Sequence, residues 1–164
     1  MRFSRAASAA LLGGLLLASA ATAAAEALPD PSVGRKLKEA GYKYQVDDDG
    51  DYRLILELDD GRTQLVFVRS PVETFGSHRV REIWSPAYMA GGDAFPALVA
   101  NRLLEASADL KLGSWVKQGR HAMLVVKIDA NDPAAALDEA VSAAAVVADS
   151  VEMELADDPD ADEF

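Results

Sequence analysis

Two acidic clusters, each ending in a glycine, are the part of this sequence whose residue types and spacing most directly suggest chemistry. They lie in "DDDGDYRLILELDDGR", residues 47–62, on either side of an alternating apolar run. Crowded carboxylates beside a glycine are typical of an EF-hand calcium loop, which needs oxygen ligands at positions 1, 3 and 5, glycine at 6 and glutamate at 12. Aligning Gly50 with position 6 puts Gln45 at position 1 and Leu56 at position 12. Both anchoring acids are missing, so the sequence indicates two turns rather than a calcium site.

The sequence also contains no recognisable set of catalytic residues. The two histidines, His78 and His121, form no H-x-x-x-H ligand pair, and no serine lies in a G-x-S-x-G elbow. The chain has no cysteine, which excludes disulfides, thiol catalysis and thiolate metal sites. We therefore assign no catalytic, cofactor-binding or metal residues and expect a protein that is not an enzyme. A hydrolase or metal-dependent enzyme that uses the Asp clusters and His121 is the alternative.

The first 25 residues predict an export signal. Arg2 and Arg5 give a positively charged start, "AALLGGLLLASA" is an apolar run too short to span a bilayer comfortably, and "ATAAA" supplies the small residues that a signal peptidase needs. We expect cleavage near Ala25, with Ala23 as the other site, and a periplasmic or secreted mature protein. An uncleaved membrane anchor is the alternative.

Charge limits the partners of the mature chain. Cleavage removes two of the 16 Lys and Arg residues and none of the 27 acids, so the net charge becomes −13. Phosphate backbones and anionic lipids repel such a chain. We therefore expect no nucleic-acid partner, no membrane association after cleavage, and a protein partner instead.

Hydrophobic periodicity predicts the order of helices and strands. The predicted elements are a short helix in "PSVGRKLKEAGYKY", strands at 52–58, 62–69 and 79–88, a helix from Asp93 to Ala108, strands at 110–118 and 121–129, and a helix capped by Asp132 that ends near Leu155. The order α-β-β-β-α-β-β-α indicates an α+β domain, residues 26–155, with an antiparallel sheet. Residues 156–164 contain five acids and a proline and predict a disordered acidic tail.

Apolar stripes on the two longer helices predict which side of each faces the core. In the helix that follows Asp93, the predicted buried residues are Phe95, Leu98, Val99, Leu103 and Ala106. In the last helix they are Leu137, Val141, Ala144, Val147 or Ala148, and Val151.

The turns predict how the strands pair. The first acidic cluster predicts a three-residue loop with Gly50 in the left-handed region, which pairs Val46 with Tyr52. Asp60-Gly61 predicts a two-residue turn, and Gly119-Arg120 predicts a type II′ turn. The resulting pairs are Leu56 with Leu65, Leu54 with Phe67, Ile55 with Val66, Trp115 with Leu124, and Val116 with Met123.

One face of the predicted sheet carries apolar residues where a solvated face would carry charge. These candidate partner-binding residues are Ile55, Val66, Val68, Leu112, Val116, Met123 and Val125. Trp84 and Tyr88, which flank Pro86 on one predicted strand face, are added as the wall of a groove beside the second helix. Either a helix of this chain or another protein covers such a face. Because three helices must pack somewhere, we expect coverage by the chain's own helices first.

The chain resembles the YbjN family, whose domain resembles the type III secretion chaperone fold. The resemblance rests on "GYKYQVDDDGDYRLILELDDGRTQLVFV", "REIWSPAY", "LVANRLLEASADLKLGSWVKQGRHAMLVVKIDA" and the last helix. It implies a small α+β domain with helices packed on an antiparallel sheet. Members are described as sensory-transduction regulators, and chaperones of this fold dimerise and bind extended segments of partner proteins. The resemblance implies no active-site residues, and the predicted signal peptide departs from the cytoplasmic relatives.

These patterns together predict an exported, non-enzymatic protein-binding module, either chaperone-like or regulatory. Its predicted partner is another protein, with a second copy of the chain as one candidate. A structural component of the cell envelope is a further alternative.

Overall fold

The computed structural model describes residues 28–58, 61–156 and 162–164. The elements in these ranges are α1 (Pro31–Glu39), β1 (Gln45–Val46), β2 (Tyr52–Glu57), β3 (Thr63–Val68), β4 (Glu73–Phe75), β5 (His78–Met89), α2 (Ala97–Asp109), β6 (Ser114–Gln118), β7 (His121–Asp129) and α3 (Ala134–Leu155). The predicted α+β class and the order of the principal elements are confirmed, and β1 and β4 are short additional strands. The predicted signal peptide lies outside the described residues and stays a prediction.

The strands form one antiparallel sheet with its helices on one side. Its order is β1-β2-β3-β5-β7-β6, and β4 pairs with β5. Buried residues of all three helices join one hydrophobic cluster with side chains from a single face of the sheet, which we call the inner face. Its central strand residues are Leu54, Val66, Val68, Ile83, Trp115, Leu124 and Val126. We call the opposite side the outer face.

Helix α3 crosses the inner face of β3, β5 and β7. Four alanines on its buried side, Ala140, Ala144, Ala145 and Ala148, are each at most 1% exposed. Such small side chains allow a helix to lie close to the strands beneath it. The predicted buried stripe of this helix is confirmed, with Ala148 rather than Val147 in the fully buried position.

Both ends of α1 follow the sequence signals. Asp30 is the N-cap, and its carboxylate accepts a hydrogen bond from the Ser32 N–H at 2.9 Å. Gly41, just beyond the helix, has φ +87°, a left-handed conformation that favours glycine. The predicted short helix is confirmed, and its buried side carries Val33 and Leu37.

The other two helices begin differently from the prediction. Helix α2 begins after Pro96 rather than at Asp93, because the residue before a proline disfavours helical backbone. Pro133, not Asp132, is the N-cap of α3, and the Asp132 carboxylate accepts a bond from the Asp129 N–H at 3.1 Å instead. In α2 only Leu103 is buried, and Leu98, a predicted core residue, is 84% exposed.

The hairpin between β2 and β3 differs from the predicted register by one residue. The Leu58 N–H bonds to the Arg62 carbonyl at 2.9 Å, so the loop of this hairpin has three residues instead of the predicted two. The last of them, Gly61, has φ +76°. The observed pairs are Leu54 with Val66, Ile55 with Leu65, and Leu56 with Gln64. The predicted pairs were therefore wrong, and each β3 side chain lies on the face opposite to the one expected.

The β1–β2 and β6–β7 hairpins have the predicted registers. Val46 pairs with Tyr52, and Gly50 has φ +77°. The β6–β7 hairpin pairs Trp115 with Leu124 and Val116 with Met123. Strand β6 is shorter than predicted, since it begins at Ser114 rather than at residue 110.

Candidate functional site: the outer face of the sheet

A band of apolar side chains crosses the outer face. Phe67 of β3 pairs with Trp84 of β5, and Trp84 pairs in turn with Val125 of β7. Two residues further along the strands, the cross-strand pairs are Ile55 with Leu65, Pro86 with Met123, and Met123 with Val116. The band therefore spans β2, β3, β5, β7 and β6, and we call it the outer band.

The outer band is only partly accessible. Ile55 is 55% exposed, and Leu65, Phe67, Trp84 and Val116 are half-buried. Val125 and Met123 are only 2% and 7% exposed, although neither belongs to the inner cluster. The surface that a partner can reach is therefore made mainly by the β2, β3 and β5 side chains and by Val116. Met123 and Val125 lie on the outer face, as predicted, but little of either side chain is accessible to a partner.

Two of the predicted partner-binding residues, Val66 and Val68, lie on the inner face instead. Both are fully buried in the inner cluster, so neither can contact a partner. The cause is the three-residue loop between Leu58 and Arg62, which moves each β3 side chain to the other face.

Tyr88 is also absent from the outer band. The register of β5 against β7 shifts between Pro86 and Tyr88, which marks a β-bulge. An extra residue in one strand reverses the alternation beyond it. Tyr88 therefore packs against the inner cluster, with its ring in a T-shaped contact with Phe95 at 5.8 Å. Leu112, in the loop before β6, is 47% exposed but lies outside the paired strands.

The prediction missed Leu65 and Phe67. The sequence "TQLVFV" has four consecutive apolar residues, Leu65 to Val68, so alternation alone cannot assign a face. A correct loop length between Leu58 and Arg62 is the signal that would have placed both residues on the outer face.

Charged groups hold Trp84 in place on β5, the middle strand of the outer band. Its indole Nε1–H donates to the Glu82 carboxylate at 3.0 Å, and the Lys127 ammonium lies 3.1 Å from the same carboxylate. The Arg69 guanidinium lies over the indole ring at 4.8 Å from its centroid and pairs with Asp51. Because both the ring face and the indole N–H have partners, Trp84 is a pre-oriented aromatic group.

The expected coverage of this face by the chain's own helices is found in part, at the β6 edge, where Val116 lines a cavity together with Ala100 and Leu104 of α2. Val33 and Leu37 of α1, Leu103 of α2 and the buried side of α3 all belong to the inner cluster. Coverage of the rest of the outer band by another protein chain, the alternative that the sequence left open, stays a prediction.

The first acidic cluster is used to form its turn. One oxygen of the Asp47 carboxylate accepts bonds from the Asp49 and Asp51 N–H groups, at 3.0 and 2.9 Å. Asp51 accepts a bond from the Ser70 N–H at 2.7 Å, and burial raises the pKa of its carboxyl although Arg69 lies beside it. Within the described ranges, no group of three or more His, Cys, Asp or Glu residues is placed to hold a metal ion.

The two histidines are far apart in the fold. His78 is exposed and pairs with Phe75 at the β4–β5 turn. His121 pairs with Gln118 and Met89, and its ring makes a T-shaped contact with Phe164 at 6.4 Å. Neither histidine has a hydrogen-bonded serine or carboxylate among the contacts of the described residues.

The chain matches no known family profile and no curated protein at a significant level. The resemblance to the YbjN family and to the type III secretion chaperone fold therefore stays a prediction. None of the helices in the described parts of the chain is long and apolar enough to cross a bilayer.

Proposed function

We propose that this chain is an exported, non-enzymatic protein-binding module whose outer band holds an apolar segment of a partner protein. The observation that carries the proposal is the continuous band from Ile55 to Val116, which α2 borders at Val116 and which lies on the face opposite to the helix-packed cluster. Contiguous apolar surface of this kind marks interaction sites more often than free surface.

The fixed orientation of the Trp84 side chain supports a role in binding a partner. An aromatic side chain already held by Glu82 and Arg69 loses little conformational freedom when a partner docks. Rigid aromatic groups at the centre of an apolar patch are typical of residues that dominate binding energy. Phe67, directly opposite Trp84, extends the same aromatic patch.

Charge indicates the composition of the partner segment. The predicted mature chain carries a net charge of −13, from 14 basic and 27 acidic residues. The net negative charge of the whole chain favours cationic or partly unfolded segments, because opposite charge speeds association and burial of apolar groups stabilises the complex. The proposed partner is therefore a segment with apolar residues flanked by Lys or Arg.

Site-specific cross-linking in cells tests the location of the site. A photo-reactive phenylalanine analogue at position 67 or 55 should form covalent adducts with the partner. The same analogue at position 98 is the matched control, because Leu98 is 84% exposed but lies on α2. Equal adducts from position 98, or none from position 67, would place the contact elsewhere.

Loss of the apolar groups provides a second test. The double variant Ile55→Ser, Phe67→Ser should keep its circular dichroism spectrum and lose the adducts that a reporter at position 84 would otherwise form. A folded variant that retains them would exclude the outer band as the binding surface.

Equilibrium dialysis against calcium and zinc tests the enzyme alternative, for which bound metal at stoichiometric amounts would be required.

A further inference from the structure

Strand β6 lies at an edge of the sheet, so one side of its backbone has no neighbouring strand. Its hairpin pairs Gln118 with His121 across a two-residue turn, and hydrogen-bonded pairs alternate with non-hydrogen-bonded pairs along an antiparallel ladder. The N–H and C=O groups of Trp115 and Lys117 therefore point away from β7. The Trp115 N–H shows this direction, because it donates to the Ser107 hydroxyl of α2 at 3.0 Å.

The edge is open beyond Trp115. No described residue is hydrogen-bonded to the outward N–H or C=O of Lys117, and Lys117 is exposed. Its ammonium group donates to the Gly119 carbonyl and lies 5.5 Å from the centroid of the Phe95 ring, so the side chain is directed towards the turn and this ring. The N–H and C=O of Lys117 and the carbonyl of Trp115 can therefore pair with another extended chain.

An apolar groove of about 370 Å³ runs along the same edge, between β6 and α2. Ala100, Leu103 and Leu104 form its α2 wall, and Trp115 and Val116 form its β6 wall. Leu104 is 69% exposed, so the groove is reached from solvent. An apolar side chain can thus be taken up at the place where the outward backbone groups lie.

These two features together favour an extended peptide as the occupant. A small apolar molecule would fill the groove and leave the backbone groups of Lys117 unpaired. An added strand would pair with these groups and, because successive side chains point to opposite faces, would place alternate side chains in the groove and beside Val116 on the outer face. Such a strand would lengthen the outer band by one strand.

Charge favours a segment of another protein over a second copy of this chain. Asp93 is the only carboxylate that lines the groove in the described chain, and none of the ion pairs there involves it. A Lys or Arg next to the bound apolar residue would be attracted to Asp93. A second copy, with a predicted mature charge of −13, would be repelled as a whole.

We propose that an extended segment of the partner protein pairs with the outward edge of β6 as an added strand, with an apolar side chain in the groove beside Leu104 and a Lys or Arg at Asp93. This placement rests on the proposed function, because it gives the segment held by the outer band a backbone conformation. It also fixes where that segment leaves the band, at Val116.

A short peptide, acetyl-Lys-Leu-Thr-Leu-Thr-Leu-Lys-amide, is the probe for NMR on the full chain. At saturation it should shift the Lys117 amide signal and slow its hydrogen exchange about tenfold or more, because a bonded amide exchanges only after the pair opens. The Val116 amide, already bonded to β7, is the internal control. The isomer acetyl-Lys-Leu-Leu-Leu-Thr-Thr-Lys-amide lacks the alternation and should bind more weakly. Equal binding of the two peptides, or an unprotected Lys117 amide, would overturn the proposal.

Proline at position 117 tests the backbone hydrogen bond itself. Lys117→Pro removes an N–H that donates nothing to the β6–β7 ladder, and proline is tolerated at such edge positions. Lys117→Ala is the matched control, because it removes the same side chain and keeps the N–H. Lys117→Pro should bind the alternating peptide about fivefold or more weakly than Lys117→Ala. Equal affinity of the two variants contradicts strand addition.

A second pair of variants tests the groove and decides even where Lys117→Pro does not fold. Leu104→Asp should weaken binding of the alternating peptide about fivefold or more, because it places a charge in the apolar groove. Leu98→Asp, on the same helix, changes a residue that is 84% exposed and does not line the groove, so affinity should be unchanged. Equal effects of the two substitutions would place the peptide elsewhere.

The same titration separates strand addition from the proposed function. Shifts of the Phe67 and Trp84 signals without protection of the Lys117 amide would overturn strand addition and keep the outer band. Protection of Lys117 would support strand addition even where position 67 forms no cross-link, a result that would overturn the outer band alone. Sedimentation tests the other occupant, since a dimer that Lys117→Pro dissociates would assign this edge to a second copy and overturn the proposal.

Discussion

The two faces of the sheet are both apolar, yet only the inner face is packed under helices. Strand β3 shows the contrast within two residues, since Val66 is fully buried beneath α3 and its neighbour Phe67 lies half-buried on the outer face. Their side chains are of similar hydrophobic character. What separates their roles is the length of the loop before them, because one residue more or less exchanges the two faces. Turn geometry, rather than composition, therefore determines which apolar residues are available to a partner.

The largest expected effect comes from placing a charge on each face in turn. Val66→Asp buries a carboxylate without a partner and should lower the free energy of unfolding by about 4 kcal/mol or more, or prevent folding. Phe67→Asp should cost about 1 kcal/mol, because the outer face can hydrate the charge. Urea unfolding of both variants gives the comparison. Equal losses would show that the outer face is as tightly packed as the inner one.

The second-largest expected effect is the difference in stability lost when an ion pair is broken on each face. Arg81, 3% exposed on the inner side, donates to the Arg69 carbonyl at 2.8 Å, to the Ser70 carbonyl and to the Asp30 carboxylate. Arg81→Met leaves these acceptors unpaired and should cost about 3 kcal/mol. Lys127→Met, which breaks the exposed pair with Glu82, should cost about 0.5 kcal/mol or less. Thermal unfolding measures both, and a large loss from Lys127→Met would contradict the contrast.

The loop that sets the register gives a smaller effect. Gly61 has φ +76° and open space around its Cβ position, so Gly61→Ala should cost about 1 kcal/mol through backbone strain alone. Gly92→Ala is the control, because Gly92 also has open space and has no left-handed φ. Chemical denaturation should separate the two. A neutral Gly61→Ala would mean that the loop relaxes without a left-handed residue.

The smallest expected effect is a difference in acid sensitivity at the edge of the inner cluster. Burial alone would raise the pKa of the Asp30 carboxyl, but hydrogen bonds from Ser32 and the Arg81 guanidinium hold it below its ordinary value. A lowered pKa contributes stability above the unfolded pKa, and that contribution is lost as pH falls through the folded pKa. Asp30→Asn should therefore be less stable than the wild type at pH 7, with the difference shrinking towards pH 2. A difference that is constant with pH would contradict the assigned shift.

Much of the fold follows from local signals in the sequence. The segment "PSVGRKLKEAGYKY" predicts α1, the apolar stripe predicts α3, and Gly119-Arg120 predicts the last hairpin. Each depends on residues close together in the chain, so sequence patterns are enough to identify it. Within the predicted tail, the Asp162 carboxylate accepts bonds from the Thr63 N–H and hydroxyl. Residues 157–161 lie outside the described ranges.

The candidate site was less predictable, for physical reasons that particular residues show. Ile55, Val116, Met123 and Val125 lie on the outer face as predicted, because their registers follow from their own strand or from the last hairpin. Trp84, predicted as the wall of a groove beside the second helix, lies on the same face. Val66 and Val68 depended on a loop in which "DDG" fits two or three residues equally well. Tyr88 depended on a bulge after Pro86 that no local pattern marks.

The alanine side of α3 has a consequence for how this sequence can vary. Because Ala140, Ala144, Ala145 and Ala148 lie against the strands with at most 1% exposure, the gap between helix and sheet is about one methyl group deep there. A saturation library at these four positions should therefore return almost only Gly, Ala and Ser, whereas the exposed positions Glu139 and Val146 should accept most residues. Mutational tolerance along this single helix would then give a direct measure of how closely it approaches the sheet.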